Sequence, residues 1–178
     1  SWKKDPSRIR TYAQLQAASP HKTKDFSTVC SSKRMKHTLH NQRVDFTDFI
    51  KAKLPQLEIF GHGVREVDDK AEAIDEYRYH LAIENHICPH HFTDKLTDPL
   101  LGFALPFYIG APNAADYFPP ESFIALDINQ PEEAVKIISA AIANNEYEKR
   151  LPAIIEARLR VVGQYNIFPL IPQTDAAA

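Results

Sequence analysis

Cysteine is scarce in this chain: two residues, Cys30 and Cys88, among 178. That excludes a disulfide framework and makes a reducing compartment the expectation, with a single bridge between the two left open. Charge of one sign is lacking too, with 21 Lys and Arg against 23 Asp and Glu. A general polyanion binder shows a basic excess or stripe, so that class is disfavoured. The local cluster Lys33, Arg34, Lys36 and His37 reads as a solvated face. No apolar run approaches the ~20 residues of a membrane span. No charged-then-apolar leader opens the chain. It starts on Ser1 rather than Met, and the expectation is a fragment or an excised domain. Neither glycine-rich phosphate fingerprint occurs, neither GxGxxG nor GxxxxGK[ST], and Gly61-His62-Gly63 is too short to stand for one. A dinucleotide oxidoreductase and a P-loop NTPase are therefore disfavoured. Internal repeats and sustained heptads are absent as well.

What is present is a globular composition, 44% hydrophobic and 25% charged, at the size of one domain. Residues 1–24 are polar and read as a lead-in, with a short helix over 8–18. From Phe26 onward strands and helices alternate. FSTVC (26–30) is β-rich and bounded by serines. Val44, Phe46, Phe49, Ile50 and Leu54 recur at helical spacing, which predicts a helix over 40–53, stopped by Pro55. LEIF (57–60) is a second strand. Asp68-Asp69-Lys70 predicts a helix start, its acids favoured by the helix dipole, and that helix is expected to end near Tyr77. YHLAIE (79–84) is a third strand, Thr93 an N-cap for a helix over 94–101, and LPFYIG (105–110) a fourth strand. SFIALD (122–127) is a fifth. Pro131-Glu132-Glu133 opens a helix, and a last helix covers 146–164. The end of the chain, 167–178, reads as a tail. The alternation specifies an α/β fold: a Rossmann-like parallel sheet with helices on both faces, over 25–166.

Ligands of such sheets bind beyond the carboxyl ends of the strands. Ser31 and Ser32, then Gly61-His62-Gly63, then Glu84-Asn85, then Gly110 stand at those ends, although any α/β protein has polar loops there. The loop 84–95 says more. A helix beginning at Thr93-Asp94-Lys95 offers free backbone N–H groups and a positive field, the setting in which phosphates bind. Lys95 in the first turn opposes the macrodipole, and an anionic ligand would account for it. Asp94 has the chemistry to accept from ribose hydroxyls. The alternative is that both are solvated first-turn residues. His86, Cys88, His90 and His91 are zinc-type ligands, but their spacing matches no closed motif and no second pair completes a tetrahedron. The expectation is no metal and no cofactor.

These residues resemble glycosyltransferase family 10, the α-1,3/4-fucosyltransferases. Tyr77-Arg78-Tyr79, Glu84-Asn85, Thr93-Asp94-Lys95 and Pro106-Phe107-Tyr108-Ile109-Gly110 are similar to its signature. Flanking similarity lies in Cys30-Ser31-Ser32-Lys33, in Arg43-Val44-Asp45-Phe46 and in 117–124, so the resemblance spans about 26–165. It implies the C-terminal, donor-binding half of a GT-B enzyme that transfers fucose from GDP-fucose to a sugar hydroxyl with inversion and without a metal. Arg43 and Lys95 would then hold the diphosphate and Asp94 the ribose. Asn85, Glu84, Thr93 and Ser31 would support the site. Two positions depart from the family: Asp94 stands where Glu is usual, and His91 where Tyr is frequent. The general base, a carboxylate, and the glycan acceptor site would belong to an N-terminal domain outside this chain. The other reading is a nucleotide-sugar-binding module without turnover. Neither reading involves nucleic acid or a transmembrane segment. The implied location is the cytoplasm, at the membrane periphery in a bacterial type, or the Golgi lumen for a eukaryotic fragment.

Overall fold

The structure is a computed structural model and describes residues 10–35 and 38–165. Five strands form one parallel sheet in the order β2-β1-β3-β4-β5. The strands are β1 (Lys24–Val29), β2 (Glu58–Phe60), β3 (Tyr77–Ile83), β4 (Leu105–Ile109) and β5 (Ile124–Ala125). The helices are α1 (Tyr12–Ala17), α2 (His40–Lys53), α3 (Asp94–Leu101), α4 (Pro131–Ala143) and α5 (Glu146–Gly163). The expected α/β architecture is the one observed.

The strand order places crossovers on both faces. Going from β1 to β2 moves one way along the sheet, while β2 to β3 and β3 to β4 move the other way. Right-handed crossovers then put α2 on one face and α3 on the opposite one. Contacts agree: α4 packs on α2, and α5 packs on α3. Strands buried on both faces explain the apolar runs, since all five residues of β4 are buried. At the centre Tyr79 stacks on Phe107 with ring centroids 5.6 Å apart, and Phe26 meets Phe107 edge-on. The Tyr79 hydroxyl donates to the Ala141 carbonyl and accepts from the Tyr147 N–H, joining β3 to the α4–α5 corner.

Three expectations need correction. No α-helix follows Asp68-Asp69. The chain makes a single 3-10 turn, Lys70–Ala73, with Asp69 capping it through the Ala71 N–H. The nine residues after Phe60 are consumed by a loop closed by the Gly61–Arg65 bridge, and little chain is left before Tyr77 must pair with Lys24. Gly61 sits at φ +137, and a Cβ there would lie 2.8 Å from the Cys30 carbonyl oxygen, so the loop turns where only glycine fits. The fifth strand is two residues long rather than six, because 3-10 turns occupy the chain up to Ser122. The third strand starts at Tyr77, earlier than its apolar core.

The stretch before β1 is tied to the domain. Lys22 Nζ donates to the carbonyls of Ile74, Asp75 and Gly102, at 3.3, 3.0 and 2.6 Å. Burial draws its pKa down to about 7, opposed by Asp75. Arg158 of α5 is buried, donates to the carbonyls of Leu101 and Leu15, and lies 4.4 Å over the Phe103 ring. Residues 1–9, Lys36, His37 and the 167–178 tail lie outside the described residues.

Candidate functional site

The border between β1 and β3 is where successive crossovers leave in opposite directions, and there a doubly wound sheet opens a crevice. A cleft of about 420 Å³ lies at that point. Its lining includes Ser31 after β1, Arg43 of α2, Asn85 after β3, Asp94 and Lys95 of α3, and Lys70 of the 3-10 turn. Val29, His80 and Ala82 form part of the floor. The cleft owes its depth to the short β2–β3 crossover. Where a full helix would cover β1 and β3 on this face, there is one turn.

Arg43 reaches the cleft from one face of the sheet and Lys95 from the other. Arg43 is 7% exposed as a residue; its guanidinium donates to Asn85 Oδ1 and has Nε without a hydrogen-bond partner among the described residues. Among the described residues no carboxylate pairs with it. A buried cation without a counter-ion is costly, so its presence points to an anionic ligand.

Lys95 is placed by a buried clamp. Glu84, fully buried at the end of β3, accepts from the Thr93 N–H at 2.8 Å and from Thr93 Oγ1 at 2.7 Å. The same hydroxyl caps α3 by accepting from the Lys95 N–H at 3.3 Å. Lys95 Nζ lies 3.9 Å from Glu84 and 3.6 Å from Asp94 Oδ1. The misplaced first-turn lysine is thus balanced in part by two carboxylates. Gly110 completes the clamp: a Cβ there would overlap the Tyr108 ring and hydroxyl and come within 2.6 Å of Glu84 Cγ. That hydroxyl accepts from the Ala111 N–H, and burial raises its pKa.

Lys70 stands across the cleft and pairs with Asp94 and with Asp98, the latter at 3.0 Å. Burial pushes the Asp94 pKa up, but the bond and charge of Lys70 outweigh it and the net shift is downward. Asp98 is shifted upward, burial prevailing over Lys70. Beneath the floor, the buried Ser27 Oγ donates to the Ala73 carbonyl at 2.5 Å and lies 2.9 Å from His80 Nδ1. With its proton committed, the hydroxyl accepts from Nδ1–H. Burial drives the His80 pKa down to about 3, which keeps the ring neutral.

Of the residues singled out from sequence, Ser31, Arg43, Asn85, Asp94 and Lys95 line the cleft, and Glu84 and Thr93 support it from behind. His91 does not line it. Its ring faces that of His86, with centroids 6.4 Å apart. His90 anchors the loop: at φ +63, its N–H donates to Asn113 Oδ1 and its Nδ1 meets the Tyr117 hydroxyl at 2.6 Å. Phe92 then packs edge-on against Tyr117 and Phe118. Lys70 and Asp98 escaped the sequence reading. The signal for Lys70 was the one used for Lys95, a cation in a first turn where the macrodipole disfavours it. Both cysteines are free, Cys30 buried and Cys88 exposed. Among the described residues no group of three or more His, Cys, Asp or Glu could hold a metal ion, and no helix is long and apolar enough to cross a membrane.

The model of "Glycosyltransferase family 10 (fucosyltransferase) C-term" matches residues 19–150. The chain is 29% identical over 97 residues to GDP-fucose protein O-fucosyltransferase 3 of Bos taurus, covering 53% of this chain and 20% of that protein. It is 29% identical over 75 residues to alpha-(1,3)-fucosyltransferase B of Drosophila melanogaster, covering 41% of this chain and 17% of that protein. In fold it is similar to a crystal structure of an alpha1,3-fucosyltransferase with GDP-fucose, with TM-score 0.60 and 24% identity over 72% of this chain and 38% of that one. A second alpha1,3-fucosyltransferase structure superposes with TM-score 0.59 and 20% identity over 87% of this chain and 50% of that one. The chain therefore spans about a fifth of the length of the curated relatives it matches and at most about half of the solved ones. With most of its length under the family model, the chain belongs to glycosyltransferase family 10, and the part matched is the family's C-terminal domain.

Proposed function

We propose that the cleft binds GDP-fucose and that the chain is the donor domain of an inverting fucosyltransferase acting on a sugar hydroxyl. The observation that carries this reading is the buried Arg43, without a counter-ion among the described residues, facing the N-terminus of α3 across the β1/β3 switch point. Two solved neighbours, with GDP-fucose and with GDP, support it. The diphosphate lies between Arg43 and Lys95, at the positively polarised N-terminal end of α3. As the bond to fucose breaks, negative charge collects on the leaving GDP, and fixed cations in a half-closed cleft stabilise it without a metal ion. Ser31 and Asn85 flank the phosphates, Glu84 and Thr93 hold Lys95 in place, and Asp94 accepts from the ribose. The base that deprotonates the acceptor comes from a domain outside this chain, which also carries the glycan acceptor site. No nucleic acid takes part. Two free thiols fit a cytoplasmic location.

One observation favours binding without turnover by this chain alone. Asp94 and Asp98 are engaged by Lys70, Glu84 by Thr93 and Glu66 by His62, so these four carboxylates in and behind the cleft are already committed to partners. Calorimetry with GDP and GDP-fucose, followed by an assay for hydrolysis and transfer, separates the two readings. Binding is expected for both ligands, and absence of binding to either removes the donor-site reading. Lys95→Ala is expected to weaken GDP binding by about 1.5–3 kcal/mol, the loss of a charge-assisted contact. Unchanged affinity would move the phosphates elsewhere.

A further inference from the structure

Lys70 projects from the first position of the 3-10 turn toward α3, where Asp94 and Asp98 stand one helical turn apart on the same side. Its ammonium lies between the two carboxylates, bonded to Asp94 Oδ2 and 3.0 Å from Asp98 Oδ2. All three groups line the cleft. The other Asp94 oxygen, Oδ1, is 3.6 Å from Lys95 Nζ. Asp94 is therefore held at both oxygens, by Lys70 on one side and by the proposed phosphate-binding lysine on the other. A carboxylate has about four lone-pair sites, so acceptor capacity remains after both contacts.

The turn does not depend on this pairing for its position. Ser27 Oγ bonds the Ala73 carbonyl, Lys22 bonds those of Ile74 and Asp75, and Asp69 caps the Ala71 N–H. Partly exposed ion pairs contribute little to stability, and Asp94 is 49% exposed. What the contact does fix is the direction of a short side chain. Asp reaches one methylene less far than Glu, so its carboxylate must be aimed to meet a ligand at the cleft wall.

We propose that Lys70 is a positioning residue of the donor site, orienting the Asp94 carboxylate to accept from the ribose 2′- and 3′-hydroxyls of a nucleoside diphosphate. The inference rests on the donor-site reading above. The test is calorimetry on the 178-residue chain with GDP, 2′,3′-dideoxy-GDP and inorganic pyrophosphate, for the unmodified protein and Lys70→Met. The unmodified protein is expected to bind GDP about 10-fold more tightly than the dideoxy analogue, the worth of a charge-assisted bond. In Lys70→Met that gap shrinks to about 2-fold or less, while the affinities for dideoxy-GDP and pyrophosphate stay within about 2-fold of the original values. A gap of full size in Lys70→Met overturns the inference. So does an equal loss for all three ligands, which would put Lys70 on the phosphates or in the fold. If Lys70→Met loses its cooperative unfolding transition, Lys70→Gln replaces it with the same criteria. No GDP binding by the unmodified protein would overturn the donor-site reading itself. GDP binding with no dideoxy gap would leave that reading standing and overturn the role given to Lys70.

Discussion

Two successive crossovers, β2 to β3 and β3 to β4, run the same way along the sheet and land on the same face, yet they differ in kind. Between β3 and β4 the chain makes a capped helix, α3, clamped at its start by the buried Glu84. Between β2 and β3 it makes one 3-10 turn, fixed to the sheet by the Ser27 hydroxyl and to the lead-in by Lys22. The first crossover supplies a rigid, positively polarised edge. The second, by being short, leaves the space beside it. A binding cleft here needs no specialised loop. It follows from placing one complete helix next to one abbreviated one, and the charged residues that matter line the gap.

The contrast can be broken most severely at Glu84. Glu84→Ala removes both bonds to Thr93 and leaves its half-buried N–H without an acceptor, and about 3 kcal/mol of stability is expected to be lost in urea unfolding. A loss below about 1 kcal/mol would mean that α3 is not held from the sheet. The other crossover is probed through His80, which lies beneath the 3-10 turn and shares Ser27 with it. Its folded pKa, about 3, is below its ordinary value of 6.5, so the unfolded chain binds more protons between these limits. Stability is then at its full value above pH 6.5 and falls as pH drops toward 3, by up to about 1.4 kcal/mol per pH unit. Over the step from pH 6.5 to 5 this amounts to about 2 kcal/mol. His80→Asn should flatten that part of the profile, and an unchanged slope would assign it to other groups. Thr93→Ala is expected to have the smallest effect, about 1–2 kcal/mol for the lost N-cap and the lost hydroxyl bond to Glu84, with GDP affinity falling alongside as Lys95 loosens. Lost stability with unchanged affinity would separate the cap from the site.

The sequence was most legible where local chemistry and position coincide. The helices starting at His40, Asp94 and Pro131 announce themselves by apolar spacing, by Thr93 as a cap and by Pro131 as a first residue. Lys95 is legible for the same reason, as a cation in the first turn of a helix that follows a strand, whereas Arg43 is singled out only by the family resemblance. The 3-10 turn was not, because Asp68-Asp69-Lys70 has the composition of a helix start and nothing local reveals how little chain remains for the crossing. The partnership of Lys70 with Asp94 and Asp98 was equally hidden. It joins residues 24 and 28 positions apart, a separation with no periodic signature. The surroundings of His91 are hidden in the same way: the loop before α3 is turned by His90 and leaves the His91 ring edge-on to that of His86.

Arg158 has a consequence for where this domain may be cut. It lies beyond the 19–150 stretch that matches the family, and one of its carbonyl acceptors, Leu15, lies before that stretch. Trimming the chain to the matched residues would remove α1 and most of α5, taking with them the buried Ile154, Ala157, Val161 and Val162. Phe103 would lose its covering guanidinium and the Leu101 carbonyl its donor. The packed core of this domain is therefore wider than the 19–150 segment at both ends.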